Sequence, residues 1–444
     1  MRFLSDQLAP GVRPREAVSW AMYDFANSGY TTVVVTAVFN AYFVGVVAAG
    51  HSWATFAWTM SLAVSYAATI LLGPLIGTYA DLYGCKKRLL VFTTIGCVLF
   101  TAALALVGRG DIWLGIVLVA LSNLFFSLGE NLAGAFLPDI ARPEALGRLS
   151  GWGWSVGYLG GLVSLGASLA WVSHAQAAGQ GGDAFVPVCM LITAVIFALA
   201  SLPAFLFLRE RSATQPPAAG GSIPWRAAFA QFGQSLRSLR SFPDLRRFLW
   251  CIVCYQAGVQ TVVALAAIYA EQVLKFETAD TIRLILLVNI TAAVGAAVFG
   301  QVQDRLGHAR TLAITLVGWL LAIGLAWAST GPGMFWIAAN VVGICLGASQ
   351  SAGRALVGYF SPAERRAEFF GLWGVAVKLA SILGPVSYGL VSWASGGEHR
   401  LAMLITGTFF IAGLAVLRSV DVVRGRCRAL LPAPISSLHA RSLP

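Results

Sequence analysis

Apolar runs of about 20 residues, separated by short polar or basic breaks, repeat from one end of the chain to the other. As helices, such runs cross roughly 30 Å of hydrocarbon. The pattern predicts twelve spans, at about 17–48, 53–80, 89–108, 111–138, 147–172, 185–208, 248–274, 281–302, 311–330, 332–358, 368–394 and 400–420. The longest polar break, 209–247, leaves six spans on either side. Its first part, RERSATQPPAAGGSIP, reads as a flexible linker. Its second part, WRAAFAQFGQSLRSLRSFPDLRR, is basic and partly amphipathic, suited to lie on an anionic membrane face. The expected organisation is an N-terminal six-helix bundle at 1–208, a cytoplasmic linker at 209–247, and a C-terminal six-helix bundle with a cytoplasmic tail at 248–444. The fold class is all-α, polytopic and membrane-spanning.

Composition agrees: 58% of the 444 residues are hydrophobic and 11% charged, where soluble proteins carry about 25% charged residues. The net charge of +11 would suit a nucleic-acid partner, but its placement excludes one. With the N-terminus inside, all but six of the 30 Lys and Arg fall in cytoplasmic segments. Arg109, Lys275, Arg283 and Arg400 lie outside, and Arg354 and Lys378 lie within spans. This positive-inside asymmetry places both termini in the cytoplasm. The opening stretch, MRFLSDQLAPGVRPRE, has no signal-peptide h-region, so the first span is expected to stay in the mature protein, in the inner (plasma) membrane. Seven cysteines are scattered, mostly within spans. Cys251 and Cys254 have the spacing of a redox or metal pair, but no second pair or nearby His accompanies them, and helix packing is the simpler account. No metal or other cofactor is called for.

The two halves resemble each other. GTYADLYGCKKR at 77–88 follows span 2, and GQVQDRLGHART at 300–311 follows span 8. Gly77, Asp81 and Gly84 align with Gly300, Asp304 and Gly307 at one offset. RPEALGRLSGWGW at 142–154 and SPAERRAEFFGLW at 361–373 enter spans 5 and 11 at nearly the same offset. Parallel six-span repeats are the plan of a large class of secondary transporters. Physically, the glycine permits close helix approach, and Asp81 can meet an Arg or the N-terminus of a facing helix. Lys86, Lys87 and Arg88 can anchor span 3 to anionic headgroups. Together with Asp304 and Arg305, these residues form a candidate latch between the halves; the competing reading is ordinary capping and topology charges.

On these residues the chain resembles the major facilitator superfamily over nearly its full length. Cys85 stands where that superfamily's loop usually has Arg. Four further stretches are similar to the vacuole-effluxer-like branch, which includes autophagy-related vacuolar amino-acid permeases: WAMYDFANSGYTTVVVTAVFNAYF (20–43), LPDIARPEALGRLSGWGWSVGYLGG (137–161), YQAGVQTVVALAAIYA (255–270) and AEFFGLWGVAVKLASILGP (367–385). The resemblance leads one to expect an Asn-Asp pair early in span 7, where this chain has Gln256-Ala257, so cation coupling that relies on that acid is not expected to carry over. The resemblance implies alternating access, with spans 1, 4, 7 and 10 lining a central cavity. It also implies a small polar cargo, with amino-acid efflux as the leading expectation.

Few charges lie deep in the spans: Asp24, Glu130, Arg354 and Lys378. Each costs roughly 2.5–3.5 kcal/mol at the bilayer centre unless sheltered. At about 1.5 Å per residue, Asp24 and Glu130 fall in the cytoplasmic half, and Lys378 lies near the midplane. Glu130 and Gln350 correspond at the repeat's offset, and Gln350 shares a helix face with Arg354. Asp24, Asn27, Tyr30, Glu130, Asn131, Gln256, Gln260, Gln350, Arg354 and Lys378 are the candidate substrate-binding residues. The N-terminal half supplies two acids and the C-terminal half two bases. That would suit a zwitterion, its ammonium at Asp24 or Glu130 and its carboxylate at Arg354 or Lys378. The bland alternative is that the four pair with each other and merely join the halves. Glu130, in the apolar setting LFFSLGENLAG, is the candidate carrier of a coupling proton.

Other signals carry less. Gly153-Trp154-Ser155-Val156-Gly157 matches G-x-S-x-G but lies inside a span with no mid-membrane His, so Gly153, Gly157 and Gly161 read as a packing stripe and catalysis is not expected. No phosphate-binding loop is present, which argues against direct use of ATP. Trp53, Trp113, Trp250 and Trp393 fall near span ends, as interfacial belt residues do. The reading is therefore a transporter, monomeric, with a small solute and the bilayer as partners. The alternatives are an exporter of a lipid or drug-like amphiphile, or a membrane receptor or scaffold that does not transport.

Overall fold

The computed structural model describes residues 6–51, 53–211, 239–274, 278–395 and 398–431. Lys275 and most of the linker, 212–238, lie outside the described residues. Twelve long helices follow one another. They are α1 (Pro14–Val47), α2 (Ala54–Tyr83), α3 (Lys86–Ala103), α4 (Ile112–Ala135), α5 (Leu146–Ala177) and α6 (Gly182–Phe207), then α7 (Pro243–Leu274), α8 (Thr278–Leu306), α9 (His308–Ala328), α10 (Pro332–Phe360), α11 (Arg366–Ala394) and α12 (His399–Leu417). A short α13 (Val422–Leu430) ends the described chain. Among the described residues, eleven helices are long and apolar enough to cross a bilayer; α7, at 32 residues, completes the twelve. Large apolar side chains such as Leu71, Phe92, Leu99, Leu199 and Leu390 stand exposed on the flanks, where lipid is the solvent that suits them.

The helices form two six-helix bundles, α1–α6 and α7–α12. An even number of crossings puts both ends of the chain on one side, the termini face. The bundles meet chiefly through α5 against α8 and α2 against α11. Small residues set these crossings. A Cβ on Gly151 would strike the Ala296 carbonyl and sit 2.9 Å from the Gly300 Cα; one on Gly371 would sit 2.8 Å from the Gly73 carbonyl oxygen. The other glycine stripe of α5 faces α1: Gly157 lies against Ser28 and Gly161 against Thr32. Between Thr31 and Ala37, α1 widens into π-helical turns, a local form associated with functional sites.

The second glycine of each repeat has a backbone role. Gly84 closes α2 at φ 56° and Gly307 precedes α9 at φ 90°, conformations that strain any residue with a Cβ.

Buried apolar side chains fall into two clusters. One is continuous across the halves, joining Trp20, Leu132, Phe136 and Leu149 to Leu356, Phe370 and Trp373. The other, with Tyr30, Phe39, Phe43, Phe126 and Phe197, stays inside the N-terminal bundle. The halves are thus fused toward the termini face.

Candidate functional site

Two carboxylates close the termini face. Asp81, at the end of α2, accepts the backbone N–H of Ala367 (3.1 Å) and Glu368 (2.8 Å) in the first turn of α11. Asp304, its repeat counterpart on α8, accepts from Gly147 (2.9 Å) and Arg148 (3.1 Å) in the first turn of α5. Each half therefore satisfies orphan donors at a helix start in the other half, where the helix dipole favours an anion. Gly77 makes room for the α2–α11 contact: a Cβ there would lie 2.9 Å from the Glu368 Cα.

Lys86 departs from the headgroup role expected of it. It is fully buried and donates to Asp139 at 2.5 Å, because Asp139 brings a carboxylate to a position that hydropathy marks as a span end. Arg366 of the other half also pairs with Asp139. Lys87 is half-buried, while Arg88 and Arg305 are exposed.

Two further inter-half ion pairs join residues within the spans, and one of them is tight. Arg354 on α10 donates to Asp24 Oδ2 of α1 at 2.7 Å, to the Ser150 hydroxyl at 3.1 Å and to the Ser150 carbonyl at 2.8 Å. Its guanidinium also stacks over Trp20 (4.7 Å) and Trp154 (5.2 Å). Ser150 in turn donates to the Ser351 carbonyl. Arg354 is 4% exposed and Asp24 8%. Gly153 opens the space: a Cβ there would sit 2.5 Å from Asp24 Oδ2 and 2.8 Å from an Arg354 nitrogen. This pair is sealed, and its guanidinium is already engaged by Asp24 and Ser150.

The second pair is looser. Lys378 Nζ on α11 lies 3.7 Å from Glu130 Oε2 on α4, and the Glu130 side chain is 25% exposed. The rings of Tyr66 and Phe126 lie within 5.3 and 5.7 Å of the ammonium. Asn131, the next residue on α4, is wedged against Gly374. Its Nδ2, like Asn27 Oδ1, is buried with no hydrogen-bond partner among the described residues. Gln256 on α7 donates to Gln350 on α10 at 2.7 Å, within one half. Gln260, one turn further along α7, is half-buried. The inter-half contacts named above join α1, α2, α4 with the short turn after it, and α5 of one half to α8, α10 and α11 of the other.

Tyr30 is not part of this arrangement. Its side chain is fully buried in the N-terminal bundle, bonded to Ser122 at 2.8 Å and stacked on Phe126. Trp20, Tyr66, Asp139, Ser150 and Arg366 belong to the inter-half contact, though sequence reasoning did not single them out. Among the described residues no group of His, Cys, Asp and Glu could hold a metal.

Comparison with known proteins places this architecture. The family described as "Vacuole effluxer Atg22 like" matches residues 40–148 and 144–430. An uncharacterized MFS-type transporter of Bacillus subtilis, YxiO, is 27% identical over 411 residues, covering 90% of this chain and 94% of that one. Autophagy-related protein 22 of Cryptococcus neoformans is 25% identical over 341 residues, 70% of this chain and 60% of that protein. Among solved structures, the human organic anion transporter MFSD10 (TETRAN) superposes with a TM-score of 0.72 at 14% identity, over 91% of this chain and all of that one; at that identity the likeness is one of fold.

Proposed function

This chain belongs to the Atg22-like vacuole effluxer family of the major facilitator superfamily, so it is a secondary transporter and not an enzyme, and we propose that its cargo is a small zwitterion of the amino-acid class. The observation that carries this reading is the segregation of charge across the crevice. Both deep acids, Asp24 and Glu130, come from one half, and both deep bases, Arg354 and Lys378, from the other. A zwitterion is the solute that both halves attract at once. The two pairs divide the work. Asp24–Arg354, bonded at 2.7 Å and shut between two indoles, is the inner gate. Glu130–Lys378, at 3.7 Å with a partly exposed carboxylate, is the binding tier. There the substrate ammonium takes Glu130 and its carboxylate takes Lys378, with the unpartnered Asn131 Nδ2 as a further donor.

We place both termini in the cytoplasm of a cell whose inner membrane holds the protein, on the strength of the basic excess at that face. The fused face is then cytoplasmic, the conformation is outward-facing, and transport runs by alternating access with efflux as its direction. A topology test follows. Cys427 is exposed on α13, whereas Cys97, Cys189, Cys251 and Cys345 are buried. Burial also pushes the Cys85 thiol up to about 11, leaving little thiolate at neutral pH. In a Cys427→Ser background, a membrane-impermeant maleimide should label Arg305→Cys, exposed in the last turn of α8, in inverted vesicles and not in intact cells. Labelling of intact cells would reverse the orientation.

Glu130 is the proposed proton carrier, being the deep acid held by a single long contact. Glu130→Gln should abolish accumulation driven by a pH gradient while exchange of labelled for unlabelled substrate persists at a raised KM, because the amide oxygen still accepts from the ammonium. Unchanged gradient dependence would remove Glu130 from the coupling step. The cargo itself is tested in proteoliposomes with a panel of labelled amino acids, with and without a pH gradient. Gradient-driven accumulation of at least one is expected; transport of an amphiphilic anion in their place would overturn the zwitterion.

A further inference from the structure

Beyond α12 the chain turns through Arg418–Asp421 into α13. Asp421 caps the new helix, accepting the Arg424 N–H at 2.9 Å. The inner face of α13 is tied to the C-terminal bundle. Gly425 and Ala429 are buried, with Gly425 against the Phe360 ring. Arg426 donates to the Tyr359 carbonyl at 3.0 Å and stacks on that ring. Asp244, buried at the start of α7, takes the Arg424 guanidinium through two bonds of 2.7 and 2.6 Å and the Asp421 N–H at 3.0 Å. One short helix thus holds the termini-side ends of α7 and α10 together.

Its outer surface separates into two lengthwise stripes. Val423, Cys427 and Leu430 form one and Arg424 and Arg428 the other, each following the helical repeat. Val423 and Leu430 are 75% and 67% exposed. Beside the cationic stripe opens a shallow cavity of about 640 Å³, lined by Arg247, Arg418, Ser419, Asp421 and Arg424 among others. Asp244 is already committed to Arg424 and Arg247. Arg418 is exposed and meets no acid among the described residues. Apolar and cationic stripes side by side, at the membrane end of a bundle, are the make-up of a helix lying at the lipid–water boundary. Guanidinium groups recognise phosphate oxygens through paired hydrogen bonds.

We propose that the groove between α12 and α13 binds the headgroup of an anionic phospholipid, with the Val423–Leu430 stripe resting among its acyl chains. Bound there, the lipid braces the ends of α7 and α10, the helices that carry Gln256 and Arg354. Bilayer charge becomes a determinant of the protein's stability, independently of what it carries.

The test is thermal unfolding of the purified full-length chain in detergent, titrated with phosphatidylglycerol, with phosphatidylcholine of the same acyl length, and with inorganic phosphate. Phosphatidylglycerol should raise the midpoint, and the other two should not. High salt should erase the rise. Arg418→Gln, whose side chain holds no other group in place, should weaken the apparent phosphatidylglycerol affinity about 5-fold, the worth of one basic residue at an anionic surface. Its midpoint in phosphatidylcholine should match the parent's. Equal stabilisation by phosphatidylcholine would overturn the headgroup site. So would a full effect from inorganic phosphate alone, or an Arg418→Gln chain with unaltered affinity.

Discussion

Asp24→Asn should lower stability by about 3–5 kcal/mol and abolish transport. Arg354 has been taken out of water into a site between two indoles and the Ser150 backbone, with Asp24 as its acidic partner. Remove the carboxylate charge and the guanidinium stays buried without compensation, a larger penalty than the pair's net worth. A double variant separates the two effects. Asp24→Leu with Arg354→Met replaces both charges by apolar groups of similar bulk, so most of the stability should return while flux stays absent. The measurements are chemical unfolding in detergent and substrate flux in proteoliposomes. If the double variant is as unstable as Asp24→Asn, the destabilisation comes from lost packing and the buried-charge account fails. If it transports normally, the pair is not a gate.

Gly151→Val should drive the halves apart at the termini face and cut flux about 10- to 100-fold. A Cβ at Gly151 meets the Ala296 carbonyl and the Gly300 Cα at 2.9 Å. Both are backbone atoms of α8, and neither can swing aside as a side chain would. Closure of the α5–α8 crossing then becomes the unfavourable state. Spin labels at the termini-side ends of α5 and α8 would report a longer distance. Gly166 on the same helix has nothing within 4 Å of its Cβ position, so Gly166→Val should leave both distance and flux as they were. Equal effects at the two positions would mean that helix propensity or membrane insertion is responsible.

Much of this architecture was legible in the residues. Bilayer thickness writes span length directly into hydropathy, and the twelve helices appear where the apolar runs lie. The matched Asp81 and Asp304 announced the two cross-caps, because a carboxylate in a glycine-flanked turn suits a facing helix start. Helical phase explains one failure. Asp24, Asn27 and Ser28 share a face, but Tyr30, six residues on at about 100° each, points away from it and into its own bundle. Closeness along the chain to polar residues was a poorer guide than angle around the helix. Lys86 failed for another reason. A lysine at a span end normally reaches for headgroups, and nothing local reveals that Asp139, 53 positions later in the chain, claims it. The indole cage around Arg354 is of the same kind, since Trp20 and Trp154 become neighbours only once α1, α5 and α10 converge.

The distribution of deep charge has a consequence for how the molecule is made. The first six helices carry acids that need bases from elsewhere, and the last six carry the bases. During biosynthesis the leading bundle therefore waits in the bilayer with Asp24 and Glu130 uncompensated until its sibling emerges. A polypeptide severed within the connector should reassemble from two co-expressed fragments, each acting as the counterion store of the other.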